Sequence, residues 1–225
     1  MEGSKYHCEV LGEEQSKYDL SFKMILIGDS GVGKSALSIK AARDDFQEYY
    51  NATVGFEFLS FHVKINDTII RLQIWDTCGQ EAYKSLISSF FKSSSLAVIV
   101  YSIDNADSFQ HVSFWLNEVK NQSNPGVRLF LIGNKLDLQD KREVTLEQGQ
   151  QLSDEHKFDL FMESSAKTGE NAQQVFVKAA EILYEDHLKY VDLKGPEGLK
   201  KKKDDNKQKL MPTPKNEGNQ KGGCC

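Results

Sequence analysis

The segment Gly28-Asp29-Ser30-Gly31-Val32-Gly33-Lys34-Ser35 fits the pattern G-x-x-x-x-G-K-[ST]. It stands directly after the apolar run Phe22–Ile27 and directly before a helix-period run that begins at Lys34, so strand, loop and helix are predicted in that order. Glycines let such a loop wind around a polyphosphate with several N–H groups turned inward. The helix that follows offers the positive end of its dipole to the same anion. Lys34 is placed to neutralise β and γ phosphates, and the Ser35 hydroxyl to coordinate Mg2+.

The rest of the chain supplies the sheet that this unit needs. Apolar β-rich runs alternate with helix-period runs as far as about His187: Leu96–Tyr101 then Ser108–Asn121, Val127–Ile132 then Leu146–His156, and Leu160–Glu163 then Ala172–His187. Phe109, Val112, Leu116 and Val119 recur at helical spacing, as do Val175, Ala179, Ile182 and Leu183, so each helix lays one face on the sheet. FLSFHVKI and IIRLQIW flank a turn at Asn66-Asp67, which predicts a hairpin and one antiparallel edge strand.

The expectation is a three-layer α/β domain over residues 21–188. It has a mostly parallel six-stranded sheet with one antiparallel edge strand and about five helices. A chain of 225 residues with 39% apolar content has room for one such domain and for tails. Residues 1–20 are polar and aperiodic and read as a flexible extension. After Tyr190 the composition falls to Gly, Pro, Lys, Asp and Asn, so residues 189–225 are expected to be a disordered tail.

Asp76 ends the strand LQIWDT. Alone it reads as a turn former, but beside a phosphate loop such a carboxylate holds magnesium through water. Asn134-Lys135-Leu136-Asp137 and Ser165-Ala166-Lys167 follow apolar strands, at the carboxyl ends where parallel sheets take ligands. That arrangement suits guanine. Asp137 can accept from both N1–H and the 2-amino group, donors that adenine does not present there. Asn134 is expected on the N7 and O6 side of the base.

The formal net charge of −5 gives no support to a nucleic-acid binder. From Lys189 onward, however, ten lysines face five carboxylates, which leaves 18 basic and 28 acidic groups before it. A basic tail on an acidic body points to an anionic partner surface. The four cysteines, Cys8, Cys78, Cys224 and Cys225, match neither a disulfide framework nor a zinc site. The amino terminus has no basic-then-apolar leader, and Glu2 stands where myristoylation needs glycine. The five histidines show no ligand spacing and read as surface or packing residues.

With these motifs in their order, residues 21–188 resemble the Ras-like small GTPases, and within them the Rab branch. The resemblance implies that GTP or GDP lies on Ser30, Gly31, Val32, Gly33, Lys34, Ser35 and Ala36, with Phe46 capping the guanine. Asn134, Lys135, Asp137, Ser165, Ala166 and Lys167 would surround the base. It also implies that Thr53 in switch one meets Mg2+ together with Ser35 and, through water, Asp76. Gly79 would meet the γ phosphate, and Gln80 would orient the attacking water while Lys34 stabilises the developing charge.

Further along the same resemblance, Phe58, Trp75 and Phe90 form an aromatic trio read by effectors, core packing being the equal alternative. Cys224 and Cys225 resemble a double prenylation signal, and two chains give the stable anchoring that one does not. The run Lys200–Lys203 either adds attraction to anionic lipid or is a solvated cluster blunted by Asp204 and Asp205. Implied partners are an exchange factor, a GTPase-activating protein, effectors, a GDP-dissociation inhibitor and a prenylation escort protein, with the domain itself monomeric. The implied location is the cytosolic face of intracellular membranes plus a cytosolic pool, with IGNKLDLQDKREV resembling members of the secretory and early endocytic routes.

The chain departs from the family at two places. Where the pattern around switch two is DTAGQE, position 78 is cysteine. A thiol there either perturbs the Gly79 contact or is a small substitution without effect. The first case opens an alternative function, a GTP-dependent membrane adaptor with negligible hydrolysis. The usual YYRGA is FFKSS at Phe90–Ser94, which bears on partner identity more than on nucleotide chemistry.

Overall fold

A computed structural model describes residues 5–12, 15–48, 56–77 and 91–205, with side chains described as far as residue 193. Its elements are β1 (Cys8–Leu11), β2 (Leu20–Ile27), α1 (Lys34–Arg43), β3 (Phe56–Ile65), β4 (Thr68–Thr77) and β5 (Leu96–Ser102), followed by α2 (Ala106–Gln110), α3 (Val112–Gln122) and β6 (Arg128–Asn134). A short 3-10 helix (Leu136–Lys141), α4 (Leu146–His156), β7 (Leu160–Glu163) and α5 (Ala172–Asp205) complete the chain order.

The strands form one sheet in the order β1-β3-β4-β2-β5-β6-β7. β2 pairs in parallel with both β4 and β5, and β5–β6 and β6–β7 are parallel as well. β3 runs antiparallel to β4, with Ile65 opposite Thr68 across the Asn66-Asp67 turn. The predicted hairpin is therefore present, and Asn66 takes the positive φ of 52° that a two-residue turn requires.

β2 shows how the layers arise. Its side chains alternate between faces: Met24 and Leu26 join the core beneath α1 and α5, while Ile25 and Ile27 join the core beneath α3, with Val112, Trp115, Leu116 and Val119. Burial on both faces makes β5 an apolar run, LAVIVY, closed by Ser102 and buried throughout. Every phosphate-side loop then leaves the same end of the sheet.

Two expectations need correction. The sheet has seven strands rather than six, because residues 8–11, read as flexible, form β1 antiparallel to β3, with Cys8 opposite Ile65 and Leu11 opposite His62. Pairing with β3 satisfies the backbone groups of β1 that face it, and its side is secured by α5. The Tyr6 and Tyr184 rings meet edge to face at 5.7 Å, and the Cys8 thiol donates to Glu181 Oε1 at 3.3 Å. The edge of the sheet is thus β1, and two strand pairings, β1–β3 and β3–β4, are antiparallel, with β3 alone running against the other strands.

At the other end, α5 continues to Asp205 where disorder was expected from residue 189. Lys, the commonest residue of that stretch, is a good helix former that carries a turn onward without burying a core. The chain divides into a body ending at Tyr184 and a second unit beginning at Glu185. No helix of the described residues is long and apolar enough to cross a membrane.

Candidate nucleotide site

The phosphate loop closes between β2 and α1 with Gly28, Gly31 and Gly33 at φ of 140°, 79° and 92°. Two of these glycines are also required by contact. A Cβ at Gly28 would stand 2.1 Å from the carbonyl oxygen of Val100, and one at Gly33 would stand 2.4 Å from Asn134 Nδ2. Inside the loop, Lys34 Nζ donates to the carbonyls of Gly28 at 2.9 Å and Asp29 at 2.7 Å. Lys34 as a whole is only 5% exposed, and its ammonium is wrapped by the loop and positioned for an anion.

Ser35 lies in the first turn of α1, and its hydroxyl donates to Asp76 Oδ2, next to the last residue of β4. Asp76 is fully buried, and its Oδ1 has no hydrogen-bond partner. Burial is the main force that lifts its carboxyl to about 6. The Ser35 hydrogen bond and the Lys34 charge oppose that lift, and Glu57 adds to it. An orphaned carboxylate oxygen beside a hydroxyl is the donor set for a hydrated hard cation. No group of three or more His, Cys, Asp and Glu side chains fit to hold a metal occurs among the described residues. A cation held by Ser35 and Asp76 would complete its shell with water and phosphate oxygens, the habit of Mg2+. Thr53, the other expected magnesium ligand, lies outside the described residues.

The base-side loops leave β6 and β7. Lys135 takes the left-handed conformation, φ 64°, and turns the chain into the 3-10 helix that carries Asp137. The Ser165 hydroxyl donates to Asp137 Oδ1 at 2.6 Å and accepts from the Thr168 N–H at 3.0 Å. One carboxylate oxygen is thereby fixed while the residue stays exposed, ready to accept from a base edge. Lys135 Nζ lies 3.8 Å from Asp104, and Lys167 Nζ lies 3.8 Å from Glu48. Phe46 packs partly buried against the core beyond α1.

Asn134, expected on the N7 and O6 side of a base, sits where the phosphate loop meets the base-side loop. It is buried, and its amide is engaged within the protein. Nδ2 donates to the Val32 carbonyl at 2.9 Å, and Oδ1 accepts from the Ala166 N–H at 3.2 Å. Its position ties the phosphate loop to the Ser165-Ala166-Lys167 loop.

Of the aromatic trio, Phe58 is 49% exposed and meets Trp75 edge to face at 5.5 Å, which removes core packing as its explanation. Phe56, not singled out by sequence, is equally exposed and lies 5.4 Å from Trp75. The two-residue strand period marks it as sharing a face with Phe58. Lys23 Nζ stands 5.0 Å over the Trp75 ring. Sequence also missed Asp29, whose carboxylate is bound by His111 and Trp115. His111 is therefore neither idle surface nor packing, and its i, i+4 spacing from Trp115 was the available clue. Phe90, Cys78, Gly79, Gln80, Cys224 and Cys225 lie outside the described residues.

A family model described as the Ras family matches residues 23–185. The match starts within β2 and takes in the phosphate loop, both base-side loops and the part of α5 that packs on the sheet.

Proposed function

The chain belongs to the Ras family of small GTPases, and from that premise we propose that it is a Rab-type switch. On the cytosolic face of a secretory or early endocytic membrane it recruits effectors while GTP is bound, and it resets by hydrolysing GTP to GDP and phosphate. The observation that carries the switch reading is the junction at Asn134, which brings a phosphate-binding loop and a guanine-selective carboxylate to one end of one sheet.

The chain's own residues divide the work by chemistry. Loop N–H groups and Lys34 hold the polyphosphate. Asp137, oriented by Ser165, accepts from the guanine edge and leaves adenine without partners. Ser35 and Asp76 would hold Mg2+, with Thr53 added in the triphosphate state; the ion supplies charge neutralisation at the β and γ phosphates. Gln80 would orient the water and Gly79 report the γ phosphate to the switch segments. As in the family generally, an exchange factor, an activating protein and effectors act on this cycle.

The Rab layer of the proposal is supported by the switch surroundings, the exposed Phe56–Phe58–Trp75 surface, and the adjacent Cys224 and Cys225 behind a basic stretch. Two prenyl groups on those cysteines, delivered with an escort protein and shielded by a GDP-dissociation inhibitor, give stable but extractable anchoring. Expression in eukaryotic cells followed by intact mass and membrane fractionation tests this. Two prenyl additions lost in Cys224→Ser/Cys225→Ser, with release to the soluble fraction, are expected; an unmodified chain contradicts it. Cys78 between Asp76 and Gln80 favours a second reading, an adaptor that binds GTP without turnover, and single-turnover phosphate release separates the two.

A further inference from the structure

The carboxylate of Asp29, which follows the first glycine of the phosphate loop, is held at both oxygens by the first turn of α3. The Trp115 indole Nε1–H donates to Oδ1 at 2.8 Å, and His111 Nδ1 lies 2.6 Å from Oδ2. Carboxylate oxygens accept, so Nδ1 carries the hydrogen. Trp115 is 4% exposed within the core beneath α3, while His111 is mostly exposed. The backbone carbonyl of the same Asp29 accepts from Lys34 Nζ at 2.7 Å. One residue thus joins α3 to the lysine that meets the phosphates.

We propose that Trp115 and His111 are positioning residues for nucleotide retention, acting through Asp29. The inference rests on the guanine-nucleotide reading of the loop. Two donors fix both the direction of the Asp29 side chain and the carbonyl that cages Lys34. Without them, a negative side chain is released one residue from a glycine that lines the polyphosphate cradle, where like charge opposes binding. The loop also loses both of these side-chain tethers to the start of α3. The coupling reaches the protein surface at His111, so a partner that grips the start of α3 can loosen the phosphate loop from outside.

The test is the dissociation rate of fluorescent GDP from the full-length chain with excess unlabelled GDP and Mg2+. Hydrogen bonds to a charged group predict about tenfold faster release for Trp115→Phe and for His111→Ala. His111→Asn, which restores a donor at the Nδ1 position, returns to the wild-type rate. In an Asp29→Ala background, Trp115→Phe adds no further acceleration, because the shared acceptor is gone. A role confined to packing does not produce that rescue or that non-additivity. His111→Ala alters an exposed side chain and keeps the test decisive where Trp115→Phe melts the core. Wild-type release rates in His111→Ala, failure of rescue by His111→Asn, or multiplying effects on Asp29→Ala overturn the proposal. A wild-type chain that retains no GDP overturns the switch reading itself, and this inference with it.

Discussion

The side-chain amide of Asn134 donates to the carbonyl of Val32 at 2.9 Å, so the strand that ends in the base-side loop is bonded directly to the phosphate loop. The other end of the same amide accepts from the Ala166 N–H. Three segments far apart in sequence share one buried side chain.

Truncating that side chain leaves two backbone groups without partners. Asn134→Ala is expected to cost about 2–4 kcal/mol of folding stability, at about 1–3 kcal/mol for each orphaned buried group. GDP release should accelerate by at least about tenfold, because both ends of the nucleotide lose their anchor. Thermal melting and fluorescent-GDP release check this. Unchanged release in a destabilised protein would reduce Asn134 to a packing role.

The loop's glycines separate contact from conformation. At Gly28 an added methyl meets the Val100 carbonyl, whereas at Gly31 it meets nothing within 4 Å and carries only the cost of φ 79°. Gly31→Ala should lose about 1–2 kcal/mol. Gly28→Ala should lose more and fail to retain GDP, because neither the collision partner nor the glycine can move without shifting β5. Urea unfolding of the two variants side by side gives the order.

Asp76 is an example of site chemistry held against stability. Its folded carboxyl stands at about 6, above the ordinary 3.8, so ionisation is easier in the unfolded chain. Stability therefore falls as pH rises between these values, and the deficit is complete above about 6. Asp76→Asn should stabilise the nucleotide-free protein near neutral pH by about 2 kcal/mol, a rise of roughly 4–8 °C. The same change should abolish the Mg2+ dependence of GDP retention. A lower melting temperature in the empty variant would refute the burial argument.

What could be read from the sequence follows from where the physics is local. The phosphate loop was legible because backbone winding around an anion dictates Gly28, Gly33, Lys34 and Ser35 within eight residues. The hairpin at Asn66-Asp67 and the helical faces on α3 and α5 were legible from turn chemistry and period. β1 was not, because Cys8-Glu9-Val10-Leu11 is too short to show a period and is stabilised by β3 and by Tyr184 and Glu181, which are distant in sequence. The Asp29 clamp was hidden for the same reason, its donors lying 82 and 86 positions away.

β1 lies at the far edge of the sheet and pairs with the hairpin end of β3, away from Phe56. Removing residues 1–11 uncovers Val63 and Ile65, fully buried in the intact chain. The truncated protein should lose about 2–4 kcal/mol of stability from the apolar surface exposed, with GDP release unchanged. Calorimetry and release kinetics on the same sample decide it, and faster release would show that the edge strand reaches the nucleotide site.

The most direct measurement is single-turnover hydrolysis of γ-labelled GTP by the purified chain with Mg2+, comparing wild type, Cys78→Ala and Gln80→Leu. The account predicts slow conversion of bound GTP to GDP and phosphate by the wild type, slower conversion by Gln80→Leu, and wild-type or faster conversion by Cys78→Ala. Bound GTP that remains intact in all three would contradict it and leave a binding adaptor in place of a hydrolysing switch.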